Sequence, residues 1–324
     1  MNSPAIVVVD PLTHFSEAIA ADPELTQFDI IFSDASPTNS DETISRCAHA
    51  DIVITNVITN FKEPELSQLP RLRTLVTASI GTNHIDLDYC RQHGIEVVRF
   101  PGFCAPAVAE MAFGLMLSLI RTLPEAQVHV LENHFDTQAI WGTELRGKVL
   151  GVVGAGDIGK RLIRIGKGFE MHVKCHTAHP SQERAQELGI VGFSSKEEVF
   201  CDSDFIILAI PATAETENFV SDDEIGMMKK SSYLINVARY QLVDLDAVAR
   251  ALNENLIAGF ATDVPGAEPF LIKDAPEQVQ IALTKPNVLV VPHIGGNTYE
   301  ADEDLYSRMV AELKRLIATH PPTD

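Results

Sequence analysis

The stretch VLGVVGAGDIGKRLIRIGKGF (149–169) decides the fold class. It opens on VLGVV, an apolar, β-branched run of strand length. Gly154-Ala155-Gly156-Asp157-Ile158-Gly159 follows as a G-x-G-x-x-G turn, and DIGKRLIRIGKGF continues as a helical pattern. Strand, glycine turn and helix in this order are the context in which the motif has a mechanism. Gly154 permits the tight turn, Gly156 lets backbone amides approach a pyrophosphate, and Gly159 lets the helix pack closely on the strand. Exposed amides and the helix dipole then favour phosphate, so Gly154, Gly156, Asp157, Ile158 and Gly159 are the candidate pyrophosphate site.

Working outward, the same alternation extends through the chain. VLGVVG (149–154), MHVKC (171–175), FIILAI (205–210), YLINVA (233–238), IAGFATD (257–263) and NVLVVP (287–292) form one series of strand-like runs. AIVVVD (5–10), FDIIFSD (28–34), DIVITN (51–56), TLVTAS (74–79) and EVVRF (96–100) form another. Buried runs separated by helix-length segments imply parallel sheets covered by helices. The fold class is therefore α/β: two doubly wound parallel-sheet domains, Rossmann- or flavodoxin-like, with a cleft between them as the expected ligand site. APAVAEMAFGLMLSLIRT (105–122) is a long apolar helix joining the two series. A helix over about 300–318 has no strand after it and must pack on something; the first unit is its expected home, so the chain would cross between domains twice.

The strand after the glycine turn should end, about 20 residues on, in a carboxylate that binds a ribose 2′-hydroxyl. MHVKCHTAHP carries none. His176, Thr177 and His179 stand there, with Arg184 beyond. Nothing repels a 2′-phosphate, so NAD and NADP are both open, with Thr177 and His179 as candidate contacts.

Composition narrows the partners. The 324 residues carry 25 Lys and Arg against 45 Asp and Glu, a net charge of −20. Such a surface repels nucleic acid, and an anionic substrate needs its own local positive charge. The longest apolar stretch, about 111–120, falls short of the ~20 residues a membrane span needs, and MNSPAIVVVD lacks the form of a secretory signal. Five cysteines without a C-x-x-C pair read as reduced, mostly buried thiols of a cytoplasmic protein. His172 and His176 share a strand face without a third ligand, so no metal is expected. Trp141, the single tryptophan, reads as a packing residue.

Three strand ends carry unusual polar residues: Arg239 after YLINVA, Asp263 and then Glu268 after IAGFATD, and His293 after NVLVVP. In a parallel sheet these ends share one edge, where ligands bind. Around them, EIGMMKKSSYLINVARYQLVDLDAVARAL (224–252), GFATDVPGAEP (259–269), KPNVLVVPHIGGNT (285–298), LAIPATAETENF (208–219), ASIGTNHIDLD (78–88) and PGFCAPAVAEMAFGLML (101–117) together resemble the D-isomer-specific 2-hydroxyacid dehydrogenases. The resemblance runs from about Asp51 to the C-terminus, with the motifs in order.

That resemblance implies a hydride transfer between a nicotinamide and a small 2-hydroxy or 2-keto acid such as glyoxylate, hydroxypyruvate or pyruvate. It places the substrate arginine on Arg239, the acid–base histidine on His293 and its orienting glutamate on Glu268. Backbone amides around Ser79, Ile80 and Gly81 would hold the substrate carboxylate. Ala209, Ile210 and Pro211 would wall the adenosine, Ala238 would lie beside the cofactor, and Asp263 would stand near the nicotinamide amide. It further implies a substrate domain of 1–101 with 297–324, a dinucleotide domain of 102–296, and a homodimer joined through the latter. The roles are chemically coherent. An arginine fork can grip a carboxylate and polarise a carbonyl at once. Imidazole gives and takes protons near neutrality, and a carboxylate at its other nitrogen stabilises the imidazolium.

The chain departs from the family pattern at Tyr240, where glycine is usual, and at Pro265, where an aromatic residue is usual. Formate dehydrogenases of this fold place glutamine where Glu268 stands. Two alternatives share the fold: a dehydrogenase of a phosphorylated hydroxyacid, for which no extra basic cluster is evident, and a dinucleotide-sensing corepressor, which would bind cofactor without turning over a keto acid.

Overall fold

Both series of apolar runs form parallel sheets. The computed structural model describes residues 4–138, 140–267 and 270–319. The chain divides into two units, Met1–Cys104 with Thr298–Asp324, and Ala105–Asn297.

The first unit contains β1 (Ile6–Val8), β2 (Ile30–Phe32), β3 (Ile52–Thr55), β4 (Thr74–Thr77) and β5 (Glu96–Arg99), in the order β2-β1-β3-β4-β5. All four pairings are parallel. Alternate residues point to opposite faces. Ile6, Val8, Ile52, Ile54 and Val76 fill one core, and Val7, Val53 and Leu75 fill the other. The helix Tyr299–Thr319 sends Leu305, Met309, Leu313 and Leu316, one face at helical spacing, into the first of these cores beside Phe15 and Ile19. At the carboxyl ends of β1 and β3, wholly buried Asp10 accepts from Thr55 Oγ1 at 2.7 Å, Asn56 N at 2.9 Å and Thr59 Oγ1 at 2.6 Å. Three donors satisfy a carboxylate that burial would otherwise penalise heavily.

The second unit contains β6 (Val149–Val153), β7 (His172–His176), β8 (Phe205–Leu208), β9 (Tyr233–Asn236), β10 (Gly259–Thr262) and β11 (Val288–Val290). Their order is β11-β10-β9-β8-β6-β7, parallel throughout. The chain leaves β6 for β7 on one side and returns to β8 on the other. Strand order therefore reverses between β6 and β8, the switch point at which a doubly wound sheet opens a ligand crevice. Helix Ala105–Ile120 packs on β9, β10, β11 and helix Asp157–Gly168, and ten of its sixteen residues are buried. A helix apolar on nearly every side belongs inside a core.

Among the described residues no single helix is long and apolar enough to cross a membrane. Cys47, Cys90, Cys104 and Cys175 are buried, and Cys201 is exposed. Trp141 does not pack as the sequence suggested. It is 78% exposed, and its Nε1 donates to the Gln138 carbonyl at 3.0 Å. The helix before it, Leu123–Leu131, buries none of its own residues, so this segment has no core within the unit to enter.

Candidate active site

The glycine turn sits at the switch point, and each glycine is there for a geometric reason. Gly154 has φ +109, and a Cβ on it would lie 2.4 Å from the carbonyl oxygen of Ala209, the first residue after β8. A Cβ on Gly159 would lie 1.9 Å from the Gly154 carbonyl oxygen, so the helix could not approach the turn. Gly156 instead faces open space, nothing lying within 4 Å of its Cβ position. It is also the N-cap of helix Asp157–Gly168, and no side chain caps that helix. The first amides of an uncapped helix need an acceptor, and here they border open space. This cradle fits a dinucleotide pyrophosphate. Asp157 is exposed and Ile158 half-buried in the first turn, and Ala209 and Ile210 border the opposite side, with Pro211 exposed beyond them.

At the end of β7, Thr177 is half-buried and His179 exposed. Arg184, seven residues beyond Thr177, reaches back to the turn: Nη2 donates to the Ala155 carbonyl at 2.7 Å and Nη1 to the His179 carbonyl at 3.5 Å. The Arg184 guanidinium thus lies against the backbone of the glycine turn.

Neighbouring strands β9, β10 and β11 deliver Arg239, Asp263 and His293 to one rim. The strand β9 ends three residues before Arg239, and wholly buried Asn236 shapes the turn between them. Its Nδ2 donates to the Arg239 carbonyl at 2.8 Å, and its Oδ1 accepts from Ala238 N at 3.1 Å. Ala238 is buried beneath, and Arg239 Nη1 donates to its carbonyl at 2.6 Å. Tyr240 is 38% exposed. It is not among the residues with positive φ, so a side chain in place of the usual glycine imposes no backbone strain.

Asp263 does more here than the resemblance implied. It is 2% exposed, and its two oxygens accept from Ile294 N at 2.7 Å and Gly295 N at 2.8 Å. Its carbonyl accepts from His293 N at 2.8 Å, and its own amide donates to the Asn236 carbonyl at 3.0 Å. A Cβ on Gly295 would press to 2.6 Å from Asp263 Oδ2. His293 is held at φ +51, a left-handed conformation costing a non-glycine residue about 1–3 kcal/mol. Asp263 is therefore the clamp of the histidine turn. Glu268 lies outside the described residues.

In the first unit, Ser79, Ile80 and Gly81 follow β4. Ser79 is 6% exposed and its Oγ donates to the Gly81 carbonyl at 2.6 Å; Ile80 and Gly81 are half-buried. Among the described residues, none of these three amides donates to another backbone carbonyl.

Six parallel strand ends carrying a glycine cradle, an arginine and a clamped histidine define a dinucleotide-dependent oxidoreductase. Residues 113–295 match the model of the D-isomer specific 2-hydroxyacid dehydrogenase, NAD binding domain. The chain is 30% identical over 312 residues to the D-3-phosphoglycerate dehydrogenase of Methanocaldococcus jannaschii, covering 96% of itself and 57% of that protein. It is 31% identical to the glyoxylate reductase of Pyrococcus furiosus, over 87% of this chain and 84% of the relative. The crystal structure of D-lactate dehydrogenase from Aquifex aeolicus, complexed with NAD and lactic acid, superposes with a TM-score of 0.85 at 30% identity, over 97% of this chain and 95% of that one. The chain belongs to the D-isomer-specific 2-hydroxyacid dehydrogenase family, enzymes that use a nicotinamide cofactor.

Proposed function

We propose that this protein reduces a small, unphosphorylated 2-keto acid of the glyoxylate, hydroxypyruvate or pyruvate type, with NADPH accepted as donor. The clamped turn that presents His293, on the same rim as Arg239, carries the proposal. Bound nicotinamide supplies the hydride. Arg239 grips the carboxylate and polarises the keto oxygen with its planar fork. His293, protonated, gives that oxygen a proton, and takes it back in the reverse direction. Glu268 is assigned to the other ring nitrogen, and the amides of Ser79, Ile80 and Gly81 to the carboxylate.

NADPH follows from the missing carboxylate after β7 and from the guanidinium held beside the turn. Arg184 can pair with a 2′-phosphate, with His179 and Thr177 as further donors. Asp263, with both oxygens on backbone amides, is assigned first to the histidine turn and second to the nicotinamide amide. We also propose a homodimer through the second unit. Its helix Leu123–Leu131 and the following loop expose Leu131, Phe135 and Trp141, Phe135 by 88%, an apolar surface of the kind that marks an interface.

The test is oxidation of NADH and NADPH against a panel of 2-keto acids, with Arg184→Ala alongside. NADPH turnover that Arg184→Ala selectively weakens supports the assignment. Strict NADH use, or dinucleotide binding without turnover of any keto acid, would overturn it, the latter favouring a sensing role.

A further inference from the structure

Behind the Ser79–Gly81 loop runs a chain of buried polar side chains that the chemistry above does not use. Thr77, at the end of β4, is wholly buried, and Ser79 and His84 are each 6% exposed. Thr77 Oγ1 lies 2.8 Å from Ser79 Oγ and 3.1 Å from His84 Nε2, and Ser79 Oγ lies 2.6 Å from the Gly81 carbonyl oxygen.

The hydrogens along this chain can be counted. A carbonyl only accepts, so the single hydroxyl hydrogen of Ser79 goes to Gly81. Ser79 Oγ is then an acceptor towards Thr77, which uses Thr77's single hydrogen. Thr77 Oγ1 in turn is an acceptor towards His84, so Nε2 of His84 must carry a hydrogen. With hydrogen on Nδ1 alone, Thr77 would donate to the ring. Two hydroxyl oxygens would then face each other at 2.8 Å with no hydrogen between them, or Ser79 would release Gly81. Either leaves a buried polar contact unmade, at the full desolvation cost of the group.

We propose that His84 is a positioning residue for substrate binding: its Nε2–H orders a one-way relay through Thr77 and Ser79 that locks the Gly81 carbonyl and so sets the loop amides. This rests on assigning those amides to the substrate carboxylate. The rest of the loop is tied down in the same manner. Phe61 N donates to the His84 carbonyl at 2.8 Å, and Lys62 Nζ donates to the Asn83 carbonyl at 2.6 Å. Anchored on both flanks, the loop meets an anion without first having to be ordered, which is how preorganisation raises affinity.

Nitrogen-15 spectra of the histidine-labelled protein, with His84→Gln used to assign the ring, test the relay without substrate. Hydrogen on Nε2 is expected; a neutral ring protonated at Nδ1 alone overturns the relay. In kinetics, His84→Leu should raise KM for the keto acid about tenfold, the factor that one lost hydrogen bond amounts to. Both kcat and the cofactor KM should stay near wild type. His84→Gln, whose amide can donate at the same reach, should recover most of the loss. Equal losses in Leu and Gln, or a matching change in cofactor KM, would mark a general structural role and overturn the proposal. Ile80→Pro removes one loop amide outright and separates the two assumptions. If it raises KM while His84→Leu does not, the positioning role alone falls; if neither raises KM, the carboxylate assignment falls with it.

Discussion

Replacing Asp263 by asparagine tests whether the histidine turn is held by a charge. In the native protein two backbone amides, Ile294 N at 2.7 Å and Gly295 N at 2.8 Å, donate to one buried carboxylate. Bonds to a charged acceptor contribute about 1.5–3 kcal/mol each, roughly 3–6 kcal/mol together. That exceeds the ~1–3 kcal/mol needed to keep a non-glycine residue in the left-handed region, so His293 stays at φ +51. Asparagine keeps one neutral acceptor, of about 1 kcal/mol, and turns an N–H against the other amide. The remaining bond no longer outweighs the strain, and the turn should relax. A shift of about 1 Å in a catalytic group can cost on the order of 10²-fold in rate. We expect kcat to fall by roughly that factor while the cofactor KM holds. Steady-state kinetics at saturating cofactor, with a thermal melt, is the assay. The lost bonds, about 2–5 kcal/mol, should lower Tm by at least several degrees at ~2–4 °C per kcal/mol for a unit of this size. Unchanged kcat and Tm would refute the clamp. A change confined to the cofactor KM would show that Asp263 acts on the nicotinamide directly.

Four further outcomes are expected. His293→Ala should lower kcat by about 10²–10⁴, the range of acid–base catalysis, in steady-state assays; near-normal turnover removes it from the mechanism. Arg239→Lys should cost roughly 2–5 kcal/mol in kcat/KM, because an ammonium cannot reproduce the planar fork, and an unchanged ratio would mean that the carboxylate is held elsewhere. A thiol reagent at pH 8 should titrate Cys201 in the native protein and all five thiols after denaturation. Burial pushes the thiols of Cys47 and Cys175 up to about 12 and that of Cys90 to about 11, from an ordinary 9.0. The unfolded chain releases these protons first, so stability should be complete below pH 9 and fall as pH rises towards 12; a melting temperature flat over that range would contradict the burial.

The family assignment also accounts for where the enzyme's charge stands. A net charge of −20 disfavours an anionic substrate at long range. Local donors must compensate, and those assigned here are the Arg239 guanidinium, the His293 ring and a set of backbone amides.

Sequence alone marked the strand series, the glycine turn and the positions of Arg239 and His293 after buried strands, because each depends on local pattern. Apolar runs of strand length, a φ that only glycine tolerates, and charged residues directly after buried strands are all visible in one dimension. What it could not determine was which polar residue supports which. Asn236 looks like an ordinary strand end until its amide is seen bridging Ala238 and Arg239. Asp263 and Ile294 are 31 positions apart and meet because β10 and β11 are neighbours. Arg184 lies 29 residues past Ala155 and folds back onto its carbonyl. His84 reaches the Ser79–Gly81 loop through the hydroxyls of Thr77 and Ser79. Strand order and loop return set these contacts, and hydrogen-bond direction is fixed by the whole set of partners; neither is written in the spacing of residues along the chain.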